Sequence, residues 1–500
     1  MELLHLPRQL NVTQRKHIRF ILDGEVVSVH DITPTVTLLE YLREKLGRTG
    51  TKEGCAEGDC GACTVVIGEP AAGKVSYRAI NSCIRFLPTL DGREIVTVEN
   101  LKAADGRLHP VQQAMVDYHA SQCGFCTPGF VMSLFGLYLN ETAPQRDDVV
   151  RALSGNLCRC TGYRPIIDAG CRMNDYADPA SWSRAYARDT KRYEALQSIA
   201  AIDTVSLDGG GGYRAPVSLD ELARLCEANP QALLLAGGTD VGLWVTKQLR
   251  DLPMIIYTGN VAELKSVREG GNAIEIGAAV SLTDAYAAIV ARYPMLAELA
   301  DRFGSPPVRN SGTLGGNVAN GSAIGDSMPF MLALGATVKL RRTGGEREMP
   351  LEDFYLGYQK KAMQPGEFVE AVCIPLSPAG RRFASYKISK RFDQDISALC
   401  GAYAFDLDNG RIAKVRIAYG GMAAVPKRAL QTEAALTGQP WSHAAMEAAL
   451  PALALDYAPL SDMRASAGYR MQVAQNLLLR FFVEHSGSPV PTRVAELEEH

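Results

Sequence analysis

The sequence predicts a multidomain α+β protein: a β-grasp-like N-terminal domain, a four-helix domain, an α/β domain and a C-terminal α+β domain. Three observations lead there. The 500 residues exceed what one hydrophobic core organises, so several domains are expected. The apolar periodicity changes along the chain, from period-2 runs to helical runs and then to an alternation of both. Nine of the twelve cysteines fall between Cys55 and Cys171, in two spaced groups.

Composition narrows the function classes. Apolar residues make up 47% and charged residues 21%, a globular balance that excludes a mainly disordered chain. Lys and Arg number 52 against 55 Asp and Glu, so no basic surplus exists to hold a phosphate backbone, and nucleic acid is not expected as a partner. The longest apolar stretch, Phe130 to Leu139, is broken by Ser133 and Gly136 and is too short to cross a bilayer. The start, MELLHLPRQLNVTQRKH, lacks the apolar core of a secretory signal, so no membrane association and a cytoplasmic location are expected.

The first domain, residues 1–104, opens with IRFIL, the turn pair Asp23-Gly24 and EVVSV, which read as a hairpin. In TLLEYLREKLG, Thr37 and Glu40 have capping-box spacing, Leu38, Leu39, Leu42 and Leu46 share a helical face, and Gly47 sits at the C-cap. TVVIG, VSYRAINSC and EIVTVENL supply further strands. Residues 105–175 hold four short helical patterns, PVQQAMVDYHA, PGFVMSLFGLYLN, DDVVRALSGN and PIIDAGCRM, enough for a small bundle. Residues 176–212 read as a linker ending in the flexible tip Gly209 to Gly212. Residues 213–379 alternate strands and helices, and residues 380–490 read as a three-stranded sheet backed by helices near 444–452 and 467–484.

Two cysteine quartets carry the chemistry. Cys55, Cys60, Cys63 and Cys83 follow C-x4-C-x2-C with a distant fourth thiol, the plant-type 2Fe-2S spacing. Gly54, Gly58 and Gly61 let the backbone curl round sulfides; a structural zinc site is the competing reading. Cys123, Cys126, Cys158 and Cys160 form a C-x2-C and a C-x-C pair at helix ends, which taken alone suit either zinc or a second redox centre. Cys171, Cys226, Cys373 and Cys400 are scattered and read as buried structural thiols.

Two Gly-rich loops mark a second kind of site. LLLAGGTDVGLW places a strand, a turn with Gly237 and Gly238, and a helix start with Gly242, an arrangement that can hold a pyrophosphate or serve as a packing turn. It is not G-x-G-x-x-G, so the Rossmann fingerprint is absent. VRNSGTLGGNVANGSAIGDSMP is too rich in Gly, Asn and Ser to be regular throughout; the two loops together point to one extended, phosphate-bearing ligand.

The strings EGCAEGDCGACTV, QCGFCTPGFVMS and GNLCRCTGYRPI resemble the paired iron–sulfur domains of the molybdenum hydroxylases, the xanthine dehydrogenase and aldehyde oxidase family. The resemblance covers roughly residues 15 to 485 and implies a 2Fe-2S cluster in each quartet, with Gln122 and Cys160 approaching the pterin of a molybdopterin cofactor held elsewhere. AGGTDVG and TLGGNVANGSAIGDSMP are similar to the FAD loops of the vanillyl-alcohol-oxidase-like flavin domain of the same family. That likeness implies FAD contacts from Leu235, Ala236, Gly237, Gly238, Thr239, Asp240, Val241 and Gly242, and from Thr313, Gly315, Gly316 and Asn317. It further implies that Asp326 holds a ribose hydroxyl, Phe303 stacks near the flavin or adenine ring, Lys387 donates to the cofactor, and Lys390 to Asp395 gate the place where nicotinamide docks.

The function so implied is electron transfer. A molybdopterin-binding large subunit would oxidise hypoxanthine or xanthine, and electrons would pass through the helical-domain cluster and the ferredoxin-like cluster to FAD and on to NAD. The expected assembly is a heterotetramer of two small and two large chains, with the acid–base groups of hydroxylation on the partner and no catalytic residue in this chain. Because the partner selects the substrate, an aldehyde or another N-heterocycle stays open, as do oxygen or a ferredoxin as acceptor. A non-enzymatic zinc and nucleotide scaffold is the reading without redox chemistry. Residues 1 to 15 and the final EHSGSPVPTRVAELEEH read as frayed or partner-facing tails.

Overall fold

The structure, a computed structural model, describes residues 14–179, 182–183, 185–186, 189–487 and 492. Most of the two expected tails therefore lies outside the described residues. The chain divides into two compact units, Met1–Ala262 and Glu263–His500.

The first unit is built round a five-stranded mixed sheet in the order Glu25–Val29, Ile18–Leu22, Glu94–Val96, Thr64–Ala71, Lys74–Asn81. Strand alternation gives it two buried faces. Ile18, Phe20, Leu22, Val65 and Ile67 point into a core shared with Tyr213, Leu235, Ile255 and Tyr257. Ile21, Val66, Val75 and Tyr77 point the other way, against Phe130, Leu134 and Phe135 of the helical domain. The four expected helices are present as Pro110–Asp117, Thr127–Asn140, Arg146–Leu153 and Arg164–Arg172. The second of these is buried along most of its length, which is why its sequence is apolar all round.

The helix after the hairpin departs from expectation. Its Thr37–Glu40 capping box forms, but only Leu38–Glu40 is α-helical and Tyr41–Lys45 widens into a π-turn, with the Leu46 N–H reaching the Tyr41 carbonyl. The wider turn rotates Leu46 off the face that buries Leu38, Leu39 and Leu42, leaving it 40% exposed.

The described residues of the segment read as a linker are structured. They contain the helix Thr190–Ser198 and the strand Thr204–Leu207. Arg192 donates to the buried Glu94 at 2.8 Å and lies over the Tyr186 ring, while Glu94 also accepts from Tyr77 at 2.6 Å. Gly209 to Gly212 close a turn in which the Gly212 N–H meets the Gly209 carbonyl at 2.9 Å. Beyond it, Gln14–Arg15, Thr204–Leu207, Tyr213–Ala215, Ile255–Tyr257 and Leu233–Leu235 form a second sheet in that order. The start of the expected α/β domain thus belongs to the first unit.

Among the described residues the second unit holds two larger antiparallel sheets and the small ribbon Tyr355–Gly357 with Lys360–Lys361. One runs Val267–Gly270, Ala273–Gly277, Phe368–Pro375, Thr337–Arg342, Gly345–Pro350, with helices Leu282–Arg292, Leu314–Asn320 and Ser327–Leu334 in the same core. The other runs Arg382–Ser389, Ser397–Asp408, Arg411–Gly420, Lys427–Arg428, adding a short fourth strand to the three expected. The long helix Ala467–His485 packs on it through Ala474, Leu477, Leu478 and Phe481. Among the described residues no helix is long and apolar enough to cross a membrane.

Candidate functional site

The first quartet is assembled by a hairpin and the loop before it. Pairing of Thr64 with Asn81 sets Cys63 opposite Ser82, whose N–H and hydroxyl both donate to the Cys63 carbonyl, at 3.3 and 2.7 Å. Cys83 follows at once. The preceding loop is pinned where the Asn81 amide donates to the Gly58 carbonyl at 2.7 Å, and the Cys60 N–H points at the Cys55 sulfur at 3.3 Å. Cys63 and Cys83 are each 2% exposed, and Cys55 and Cys60 are half-buried.

The thiols interact as a group. Hydrogen bonds from the Cys60 and Cys83 thiols hold the Cys55 thiol far below its ordinary value, and the two donors are pushed up in return. Cys63 is likewise lowered, chiefly by the Cys83 thiol. Among the described residues no three Cys, His, Asp or Glu side chains gather round a single metal-ion position. The sulfurs interact with one another, Cys55 with Cys60 and with Cys83, and Cys83 with Cys63 as well, so four thiols converge on one place. The donor set fits a 2Fe-2S group.

The second quartet sits at two helix N-termini. Cys126 is the N-cap residue of Thr127–Asn140, and Cys158 and Cys160 precede Arg164–Arg172. Both helices present their positive ends to the thiolates. Here too the thiols pair, Cys123 with Cys160 and Cys126 with Cys158. The Thr161 hydroxyl and N–H meet the Cys158 sulfur at 3.2 and 3.5 Å, and the Tyr163 hydroxyl accepts from the Cys158 N–H at 3.0 Å. Burial pushes the Cys126 thiol up to about 12. Cys123, Cys160 and Gln122 are exposed, beside the exposed side chains of Phe125, Leu157 and Tyr163.

The two quartets adjoin: the Leu157 N–H, next to Cys158, donates to the Cys60 carbonyl at 2.9 Å. The first Gly-rich loop adjoins as well. Strand Leu233–Leu235 leads through a turn into helix Val241–Thr246, and a side chain at Gly242 would meet the Ile84 carbonyl at 2.7 Å. Gly242 thus permits a close approach to the residue after Cys83. The Thr246 hydroxyl donates to the Ala56 carbonyl at 2.8 Å, beside Cys55, and Leu243 packs with Cys63, Cys83 and Ile84. Burial raises the Asp240 carboxyl.

In the second unit, Thr313 caps helix Leu314–Asn320 by accepting from the Gly316 N–H at 3.0 Å, and Gly315 packs on Ala278, where a side chain would come within 2.4 Å. Asp326 is 3% exposed and its Oδ2 accepts from Lys387 at 2.8 Å and from Ser397 at 2.9 Å. Its Oδ1 and the Oδ1 of Asn317 are buried with no hydrogen-bond partner. Two orphaned acceptors beside a capped Gly-rich helix fit the hydroxyls of a ribityl or ribose chain. The Lys387 ammonium meets three acceptors, Asp326, Asp395 and the Arg302 carbonyl, so its donors are taken up by the protein. Phe303 is 6% exposed, packed 5.2 Å from the Tyr286 ring in the core rather than presented as a stacking platform. The expected gate segment ends in two left-handed residues, Gln394 and Asp395, followed by a third, Ile396, and is held where Asp395 accepts from Lys387 and from the Gly304 N–H.

Leu157, Ile84, Thr246 and Ser397 complete these sites, and sequence reasoning singled out none of them as a contact. Only adjacency to a quartet cysteine marks Leu157 and Ile84. Cys226 and Cys400 are buried, Cys171 and Cys373 half-buried, and all four are unbridged thiols.

Residues 20–84 match the 2Fe-2S iron-sulfur cluster binding domain and residues 97–171 a further 2Fe-2S binding domain. Residues 206–377 match the FAD binding domain in molybdopterin dehydrogenase, and residues 384–485 the CO dehydrogenase flavoprotein C-terminal domain. The chain is 33% identical over 525 residues to the xanthine dehydrogenase of Emericella nidulans, an alignment covering 93% of this chain and 38% of that protein. It is 31% identical over 536 residues to the xanthine dehydrogenase/oxidase of Gallus gallus, covering 93% and 39%. The chain therefore spans about two fifths of the length of these relatives. Carbon monoxide dehydrogenase from Hydrogenophaga pseudoflava superposes with a TM-score of 0.51 at 30% identity, over 54% of this chain and 94% of that one. A Cu,Mo-CO dehydrogenase gives 0.50 at 28%, over the same shares. By its four domains, the chain belongs to the iron–sulfur and flavin part of the molybdenum hydroxylase family.

Proposed function

We propose that this chain is the electron-transfer subunit of a xanthine dehydrogenase, working with a molybdopterin-binding subunit that hydroxylates hypoxanthine and xanthine, and passing the electrons to NAD. The observation that carries the reading is the continuity of the first unit. The exposed Cys123 and Cys160 end of the second quartet leads through Leu157 N–H and the Cys60 carbonyl to the first quartet, and from Ile84 to the Gly242 turn of the flavin loop.

When bound, the clusters carry single electrons and FAD collects two for release as a hydride. The chain's own residues position and insulate. Cys63 and Cys83, each 2% exposed, keep water from the first site, whereas Cys123, Cys160 and Gln122 offer the second site to a partner surface. Phe125, Leu157 and Tyr163 supply an apolar rim for that contact. Asn317 and Asp326 would accept hydrogen bonds from the flavin's sugar hydroxyls, and Lys387 would act through Asp326 by fixing its carboxylate. A pair of small and large subunits, doubled by two-fold symmetry, is the assembly proposed.

Purification of the native complex with metal analysis tests the reading. About four irons per small chain and turnover of xanthine with NAD are expected. Zinc in place of iron, or turnover of an aldehyde with none of xanthine or hypoxanthine, would overturn the redox and the purine assignments respectively.

A further inference from the structure

The two cysteine quartets meet at a seam where glycine backbones touch directly. A Cβ on Gly129 would lie 2.1 Å from the Gly61 carbonyl oxygen, and one on Gly61 2.3 Å from that of Gly155, so three stretches of backbone touch. One buried amide crosses this seam. Asn156, 3% exposed, donates from Nδ2 to the Gly61 carbonyl at 3.1 Å and to the Thr64 hydroxyl at 3.4 Å, while its Oδ1 accepts from Ser133 at 2.6 Å.

Each partner belongs to a different part of the cluster machinery. Gly61 lies between Cys60 and Cys63 of the first quartet, and Asn156 stands two residues before Cys158 of the second. Ser133 is on the helix that Cys126 begins. The Gly61 carbonyl is already satisfied by the Thr64 N–H at 3.1 Å and hydroxyl at 2.7 Å. The bond from Asn156 therefore rescues no orphaned acceptor; what it adds is register between two segments that approach as bare backbone. The same register sets the adjoining Leu157 N–H on the Cys60 carbonyl at 2.9 Å.

We propose that Asn156 is a positioning residue that fixes the separation and orientation of the two iron–sulfur clusters, and so the electronic contact between them. The proposal rests on the reading that both quartets hold 2Fe-2S clusters. Asn156 touches neither cluster's thiols; it acts through Gly61 and through the turn it shares with Cys158.

The test uses the native complex carrying Asn156→Ala or the near-isosteric Asn156→Asp. Iron is counted per chain, and low-temperature electron paramagnetic resonance of the fully reduced protein reads the magnetic splitting between the two cluster spins. Both variants should retain about four irons while the splitting is lost or altered. Flavin reduction from the partner site should slow by roughly tenfold or more. Unchanged splitting in an iron-loaded variant overturns the proposal, whatever happens to its melting temperature. Should the alanine variant shed iron, the aspartate variant decides on the same readout. If both lose the second quartet's iron from an otherwise loaded complex, Asn156 builds that site rather than spacing the pair, and the proposal is again refuted. An unsubstituted complex without iron takes down the cluster reading itself, a result separate from any of these.

Discussion

Replacing Lys387 with Met removes the cation from a buried ion cluster while keeping a side chain of similar length. In the folded chain the Lys387 side chain is 1% exposed and that of Asp326 3%, with 2.8 Å between Nζ and Oδ2. Without the ammonium, Asp326 keeps only the Ser397 hydroxyl at 2.9 Å, and its other oxygen already lacks a partner. Breaking one side of a buried pair costs about 3–5 kcal/mol, because a charge is left unpaired in a medium that solvates it poorly. For a unit of this size each kcal/mol moves the melting temperature by about 2–4 °C, so the expected drop is roughly 6–20 °C at neutral pH. Scanning calorimetry of the full chain measures it.

The pH dependence carries a sign. Burial holds the Asp326 carboxyl above its ordinary value, with Lys387 opposing that rise. A raised carboxyl pKa in the folded state makes its contribution favourable at low pH and unfavourable as pH climbs through the folded value. Loss of Lys387 raises the folded value further, so the deficit of the variant should shrink on acidification, where Asp326 is neutral in both proteins. A variant that melts with the parent at neutral pH, or one whose deficit grows on acidification, refutes this account of the cluster.

Three more outcomes are expected. Cys83→Ser should halve the iron content, from about four to about two per chain, with the second quartet's signal retained; loss of all iron in a folded chain would show that the quartets do not load independently. Gly129→Ala forces a methyl against the Gly61 carbonyl at 2.1 Å and should cost at least about 1–3 kcal/mol in urea unfolding, since both sides of the contact are backbone; a neutral result contradicts the closeness of the seam. Asp456→Ala strips the Gln431 and Thr432 N–H groups, each held at 2.9 Å, of their acceptor at the start of helix Leu430–Leu436 and should cost about 1–3 kcal/mol, read by the same titration.

Local signals made much of this protein legible. The Asp23-Gly24 turn, the capping pair Thr37 and Glu40, and the four helical patterns of residues 105–175 each encode their element within a few residues, and each element formed. Leu46 was misplaced because a π-turn leaves the 3.6-residue period on which the face assignment rested. The segment 176–212 looked like a linker because its anchors are long-range: Arg192 finds Glu94 across 98 residues of chain, a pairing that no window of local sequence contains.

By itself the sequence determined the eight clustered cysteines, their division into two quartets of different architecture, and the presence of Gly-rich loops suited to a phosphate-bearing cofactor. These are properties of spacing, and spacing is written in one dimension. Only the tertiary structure decided how the pieces touch: that Gly242 makes room for Ile84, that Phe303 is core, that the Lys387 ammonium is consumed by Asp326, Asp395 and a carbonyl, and that Asn156 spans the seam between the quartets. The physical reason is that hydrogen bonds and close packing depend on distances of a few ångströms between residues tens to hundreds of positions apart, and those distances exist only once the sheets and helices have packed.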